Sequence, residues 1–191
     1  LVPALILNPG INAVGGDKSE LTSGKTQKFM DNLYEVVAET VIKAVEDMEE
    51  GSLYYGSADV SDLMHDKRKP DVLDTEIHRF RFDPKDEASD EIWICEAGIH
   101  CTGYGAGPDI LSADYPYYIE KNINEKEGAN VVFVMGAELA ITTEGELTNV
   151  EGESDLNNIT YYANAIADKV RGIKNEIKLD PVLNIVHQEV M

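Results

Sequence analysis

The chain has 191 residues, with 36 acidic against 16 basic side chains and a formal net charge of −20. A chain of this length buries about 70% of the surface it exposes when unfolded, so one sizeable core is expected, in a single α/β domain over residues 1–191. The negative field repels phosphate backbones and anionic bilayers, which argues against a nucleic-acid partner, and no apolar run approaches the roughly 18 residues of a membrane span.

The acids are spread along the chain rather than gathered in a tail, as on a solvated surface. The first residue is Leu1, not Met, which points to a processed chain or a piece of a longer protein. The opening "LVPALIL" is short and has no basic flank, so it does not read as a signal peptide, and the cytoplasm is the expected compartment. Cys95 and Cys101 have no metal-finger spacing and read as two buried thiols, not a disulfide framework.

"LVPALIL" itself reads as a buried strand, closed by Pro9-Gly10. A glycine-rich loop over 8–24 follows. From Thr26, Phe29, Leu33, Val36, Val37, Val41, Ala44, Val45 and Met48 recur at helical steps, with Asp31, Glu35, Glu39, Lys43 and Glu46 opposite. This predicts an amphipathic helix packed on a core and ended before Gly51. "SLYYGSADV" reads as a strand and "HDKRKPD" as a polar loop. In "EIHRFRF" the polar His78, Arg79 and Arg81 are set among Ile77, Phe80 and Phe82, a strand with one break in its alternation.

"IWICEAGI" and "ANVVFVMG" are unbroken apolar strands, expected to be central neighbours covered on both faces. Between them "SADYPYYIEKNIN" is a short helix, capped by Ser112 or Asp114 with Pro116 in its first turn. The order makes a βαβ unit. Residues 142–153 are acidic and hold two glycines, and are expected to be exposed and mobile. A second amphipathic helix follows, with Leu156, Ile159, Ala163, Ile166, Ala167 and Val170 on one face, and "PVLNIVHQEV" is expected to close as a strand. The fold class is α/β: a mixed, largely buried sheet with helices packed on it.

Loops at the carboxyl ends of strands are where α/β folds place ligands. His100 stands at such an end beside Gly103, Gly105 and Gly107, with Asp114 at the next helix start. Imidazole is the commonest metal ligand, so His100 is either a ligand or a structural histidine. "GYGAG" has no GxGxxG spacing and no lysine after it, which argues against nucleotide binding. No GxSxG occurs. His65, His78 and His187 have no serine or cysteine paired to them, and His65 is a weak candidate. The sequon Asn158-Ile159-Thr160 falls inside a predicted helix.

Taken together, "KTQKFMDNLYEVVAETVIKAVEDM", "GSLYYGSADV", "KRKPDVLDTEIHRFRF" and above all "AGIHCTG", "ILSADYPYYIEKNI" and "VVFVMGA" resemble, in that order, the catalytic domain of the neutral/alkaline (non-lysosomal) ceramidases. The family has alanine-x-x-histidine-proline-threonine, then isoleucine-serine-alanine-aspartate-tyrosine-proline-glycine. The resemblance implies a zinc-dependent amide hydrolase acting on an N-acyl lipid or related amide. It makes His100 a metal ligand and marks Arg68, Tyr104 and Asp109 as substrate-binding candidates.

The chain departs from the family where a histidine-threonine-histidine-serine-glycine-proline segment is replaced by "LILNPGINAVGG", and where "GAELAITTEG" stands for a glycine-aspartate-valine-serine-proline turn, with Ala140 at the aspartate position. A catalytic zinc needs about three protein ligands and an open position. Zinc is therefore expected in the full-length protein at most, with none tightly bound by this chain. Two readings stay open: an amide hydrolase, and a non-catalytic domain of the same fold that binds a small ligand or partner.

Overall fold

The computed structural model describes residues 27–103, 112–138, 140–143 and 155–187. The chain divides into two compact units, Leu1–Met48 and Glu49–Met191. The first holds helix α1 (Gln27–Glu46), which follows the predicted three- and four-residue steps and ends with Lys43 in its last turn. Its apolar residues Phe29, Val36, Val37, Val41 and Val45 are exposed.

The second unit is built on a five-stranded sheet of order β5-β4-β3-β1-β7. Its strands are β1 (Gly51–Asp59), β3 (Glu76–Pro84), β4 (Ile92–Ala97), β5 (Asn130–Met135) and β7 (Ile177–Lys178). The β4–β5 pair is parallel and the others are antiparallel, so the sheet is mixed. A short antiparallel pair, β2 (Met64–Asp66) with β6 (Ile141–Thr143), stands beside it. Helices α2 (Tyr115–Glu127) and α3 (Asp155–Arg171) complete the unit. This is the expected α/β class, with helices packed on a mixed sheet.

The core lies on one face of the sheet. Ile77, Trp93, Cys95, Ala97 and Val131 point into it from the strands. Tyr115, Ile119 and Ile123 of α2 and Ile159, Tyr162, Ala163, Ile166 and Val170 of α3 meet them. The Tyr115 ring packs edge-on against both Phe133 and Tyr162, with centroids 5.5 Å apart in each pair. Asn158 of the sequon is buried in α3.

Alternation along β3 follows its polarity at Ile77 and His78 and runs opposite to it at Arg79 and Phe80. Ile77 and Arg79 face the helices, while His78 and Phe80 face the other way. Both terminal nitrogens of Arg79 are engaged there: its guanidinium donates to the carbonyls of Val170 (2.7 Å) and Ile173 (3.2 Å) and to Glu176 (2.9 Å), and lies 4.2 Å over the Trp93 ring, while its Nε is buried without a hydrogen bond. It closes the last turn of α3, where a cation is favoured by the unpaired carbonyls. A second arginine, Arg81, shares Glu176 and also pairs with Glu91.

Three expectations are corrected here. First, β4 and β5 are adjacent and parallel, but among the described residues they are covered on one face only and β5 is an edge strand. Tyr55, Phe80, Ile94 and Val132 align across four strands on the other face, with Ile94 39% and Val132 51% exposed. Second, residues 182–187 are not a strand. The edge pairing uses Ile177 and Lys178 instead, and Pro181, which has no N–H to give a ladder, follows directly after Asp180. Third, Cys95 is buried but Cys101 is exposed, and both are free thiols.

Candidate functional site

The site grows from the ends of the two parallel strands. After β4 the chain runs Gly98-Ile99-His100; after β5 it runs Gly136-Ala137-Glu138. The two ends lie close, and a side chain on Gly98 would meet the Ala137 carbonyl at 2.5 Å. Glycine is needed for that approach. The His100 amide donates to the Ile141 carbonyl (3.0 Å), which ties the strand end to β6.

The "SADYP" stretch braces this end from below. The Ser112 hydroxyl accepts from the Asp114 amide at 2.9 Å. Asp114 Oδ1 accepts from the amides of Gly103 (3.1 Å) and Tyr115 (2.8 Å), so it caps α2 and holds the turn after His100 at once. Of the two expected caps, Asp114 is the one that accepts from the helix. The buried Tyr115 hydroxyl donates to the Ile99 carbonyl at 2.6 Å, and burial pushes its pKa well up, which keeps it a donor. Pro116 occupies the first turn, and Gly128, at φ 73°, closes the helix with its amide on the Asn124 carbonyl. The residues most specific to the sequence motif are thus a frame for His100.

An open depression of about 840 Å³ lies over these strand ends. His100 and Arg68 both line it, together with Glu138, Val72, Pro70 and Ile141. The His100 ring is about a third exposed, and its Nδ1 stands 3.3 Å from Glu138 Oε2. That distance is an ion-pair distance off the line of a hydrogen bond, and Glu138 Oε2 is buried without a hydrogen-bond partner. Asp66 organises the facing loop. One of its oxygens accepts from the Arg68 amide (2.9 Å) and the other from the Val72 amide (3.2 Å). These two bonds hold its carboxyl below the usual carboxylate range. The loop also contains the cis Lys69–Pro70 bond.

Of the residues singled out from the sequence, Arg68 and His100 come together in one depression. Tyr104, Asp109 and the "LNPGIN" segment lie outside the described residues, as does the stretch 144–153. Thr142 and Thr143, expected in a mobile exposed loop, are buried in β6. His65 is paired on β2 opposite Thr142, and His187 lies in irregular chain. His78 Nδ1 and the Tyr55 hydroxyl share a hydrogen bond of 2.8 Å, and His78 Nε2 faces Asp74 at 3.3 Å. Sequence reasoning missed Glu138. Its signal was available: a carboxylate three residues past one strand end, beside a histidine three residues past its parallel neighbour. Neither cysteine is an activated nucleophile, since burial pushes the Cys95 thiol up to about 12 and the Cys101 thiol up to about 11.

The described residues do not fit a catalytic zinc. His100 and Glu138 offer one imidazole and one carboxylate, and both Asp66 oxygens are committed to backbone amides. No group of three or more His, Cys, Asp or Glu able to hold a metal occurs among the described residues. Nor is any helix among them long and apolar enough to cross a membrane.

No protein-family model matches the chain, and no curated protein does. Among solved structures, the neutral ceramidase from Pseudomonas aeruginosa superposes with a TM-score of 0.62 at 14% identity, covering 78% of this chain and 26% of that one. A ceramidase complexed with C2 superposes with a TM-score of 0.54 at 16% identity, covering 65% and 22% respectively. The chain therefore spans about a quarter of the length of the ceramidases it resembles. At such identities the likeness establishes the fold alone, and the fold of this chain is ceramidase-like.

Proposed function

We propose that this chain is a ceramidase-like domain that binds a small amide, an N-acyl lipid or a related compound, in the depression at the ends of β4 and β5, and does not by itself complete a hydrolytic zinc centre. The supporting observation is the pairing of His100 with the half-buried Glu138 across two parallel strand ends, with no third donor of the metal-binding kind among the described residues. A carboxylate and an imidazole side by side suit an amide, which needs one acceptor for its N–H and one donor for its carbonyl. The apolar wall of Pro70, Val72 and Ile141 suits an acyl group.

A second reading keeps the zinc-dependent amidohydrolase. It is favoured by the ceramidase-like fold and by the position of His100 at the strand end, and it places further metal ligands in the full-length protein. Elemental analysis after dialysis against a mild chelator separates the two, run beside a hydrolysis assay on a fluorogenic N-acyl amide. The expected result is zinc far below one per chain and no turnover. Stoichiometric zinc that survives dialysis, disappears in His100→Ala and accompanies turnover would establish the hydrolase instead.

A further inference from the structure

We infer that the ligand of this depression is an anionic amide: an N-acylated amino acid, whose carboxylate is held by Arg68 and whose amide N–H is held by Glu138. The inference rests on the ligand-binding reading above and adds the chemical class. The first ground is the state of Arg68. In a chain of net charge −20, Arg79, Arg81 and Arg171 are each paired with a carboxylate. Arg68 makes no side-chain hydrogen bond or ion pair among the described residues. The carboxylate nearest to it in charge, Asp66, has both oxygens engaged by the amides of Arg68 and Val72. The loop is thus closed by its own acid, and Arg68 lines the depression. Guanidinium forms two parallel bonds with a planar carboxylate, a geometry that an ammonium does not reproduce.

The second ground is the Glu138 carboxylate, which lines the depression: its buried Oε2 faces His100 Nδ1 at 3.3 Å, while its Oε1 is not buried and accepts no hydrogen bond among the described residues. That oxygen can accept from a donor that a ligand brings. A secondary amide brings one N–H, and in an N-acyl amino acid that N–H is one carbon from the carboxylate. The two ligand groups thus match an acceptor and a cation that line the same depression. The third ground is charge. A phosphate dianion would bring two charges against Asp66 and Glu138, whereas a carboxylate brings one, and the arginine answers it, since Lys69, the other cation lining the depression, is taken up by Asp71. Pro70, Val72 and Ile141 leave room for the acyl chain.

The test uses the full chain and three probes, with binding read by titration calorimetry at low salt. N-Octanoylglycine carries both groups. N-Octanoylethanolamine keeps the amide and lacks the charge. N-Octanoylsarcosine keeps the charge and lacks the N–H. The expected result is that N-octanoylglycine binds at least tenfold more tightly than either of the others. Arg68→Gln should remove that advantage over the ethanolamide, Arg68→Lys should restore only part of it, and Glu138→Leu, which leaves no acceptor, should remove the advantage over the sarcosine. Arg68 is exposed, so thermal melts of its variants should match the wild type. Equal affinity for glycine and ethanolamide probes, unchanged in Arg68→Gln, would overturn the anionic class while leaving the amide-binding pocket standing. Failure of all three probes to bind would overturn both.

Discussion

The Tyr115 hydroxyl donates to the Ile99 carbonyl at 2.6 Å, which fixes the first turn of α2 to the residue before His100. Both groups are buried. Tyr115→Phe should keep the ring packing on Phe133 and Tyr162 and leave the carbonyl unmet, at a cost of about 1–3 kcal/mol. Urea denaturation measures the loss. The His100 amide should exchange faster with solvent in the variant, because its strand end has lost its brace. Unchanged exchange there would show that β6 alone holds the histidine.

Asp114 should be the most sensitive position of the "SADYP" stretch. It caps α2, holds the Gly103 amide and adopts φ 58°, ψ −149°, a conformation that side chains other than glycine rarely take. Asp114→Ala should cost about 2–3 kcal/mol, since both accepted bonds go and the backbone strain stays. Asp114→Asn should cost less, because the amide oxygen still accepts. Asp114→Gly should fall between the two, losing the cap but relieving the left-handed φ. That order, read from denaturation midpoints, is the check.

Glu176 makes stability fall in acid. Burial pushes its pKa up, but the hydrogen bond from Arg81 and the charges of Arg79 and Arg81 outweigh this and hold it below the usual range. A folded-state pKa below the unfolded one contributes stability that is complete above the unfolded value of about 4.3 and is lost as pH falls through the folded value. Glu176→Gln should destabilise the protein by about 3 kcal/mol near neutrality, because Arg79 is buried and loses its charged partner. The gap between wild type and variant should close in acid. A gap that stays constant across that range would show that packing, not charge, accounts for the effect.

His100→Ala should change stability by no more than about 1 kcal/mol. Its ring is about a third exposed, and its backbone bond to Ile141 survives the substitution. Thermal melts of both proteins, with and without added zinc, should overlay. A zinc-dependent shift in the wild type that is absent from the variant would show that the metal is held through this ring.

Much of the architecture was legible because local pattern and tertiary need agree. The helical stripe Ile159, Ala163, Ile166, Ala167, Val170 predicts its own burial, and Pro116 with Asp114 marks the start of α2 through backbone chemistry alone. The strands β1, β3, β4 and β5 could be read from their apolar and β-branched runs, since those residues suit a pleated surface wherever it lies. His100 could be placed at a strand end for the same reason.

Which way β3 faces was decided by the assembled fold. Polarity alone sets Phe80 inward and Arg79 outward; the structure does the reverse, because the carbonyls ending α3, the Trp93 ring and Glu176 together hold the two terminal nitrogens of a buried guanidinium. Residues 182–187 have the apolar content of a strand, yet they find no partner in the ladder beyond Ile177 and Lys178. The site was decided in the same way. Arg68, Glu138 and His100 are far apart in the chain and belong to no shared motif, and only the parallel pairing of β4 with β5 and the loop closed by Asp66 set them around one depression. Periodicity reports on a residue's nearest turns and strand neighbours, whereas a binding site is made by contacts whose partners are distant in sequence.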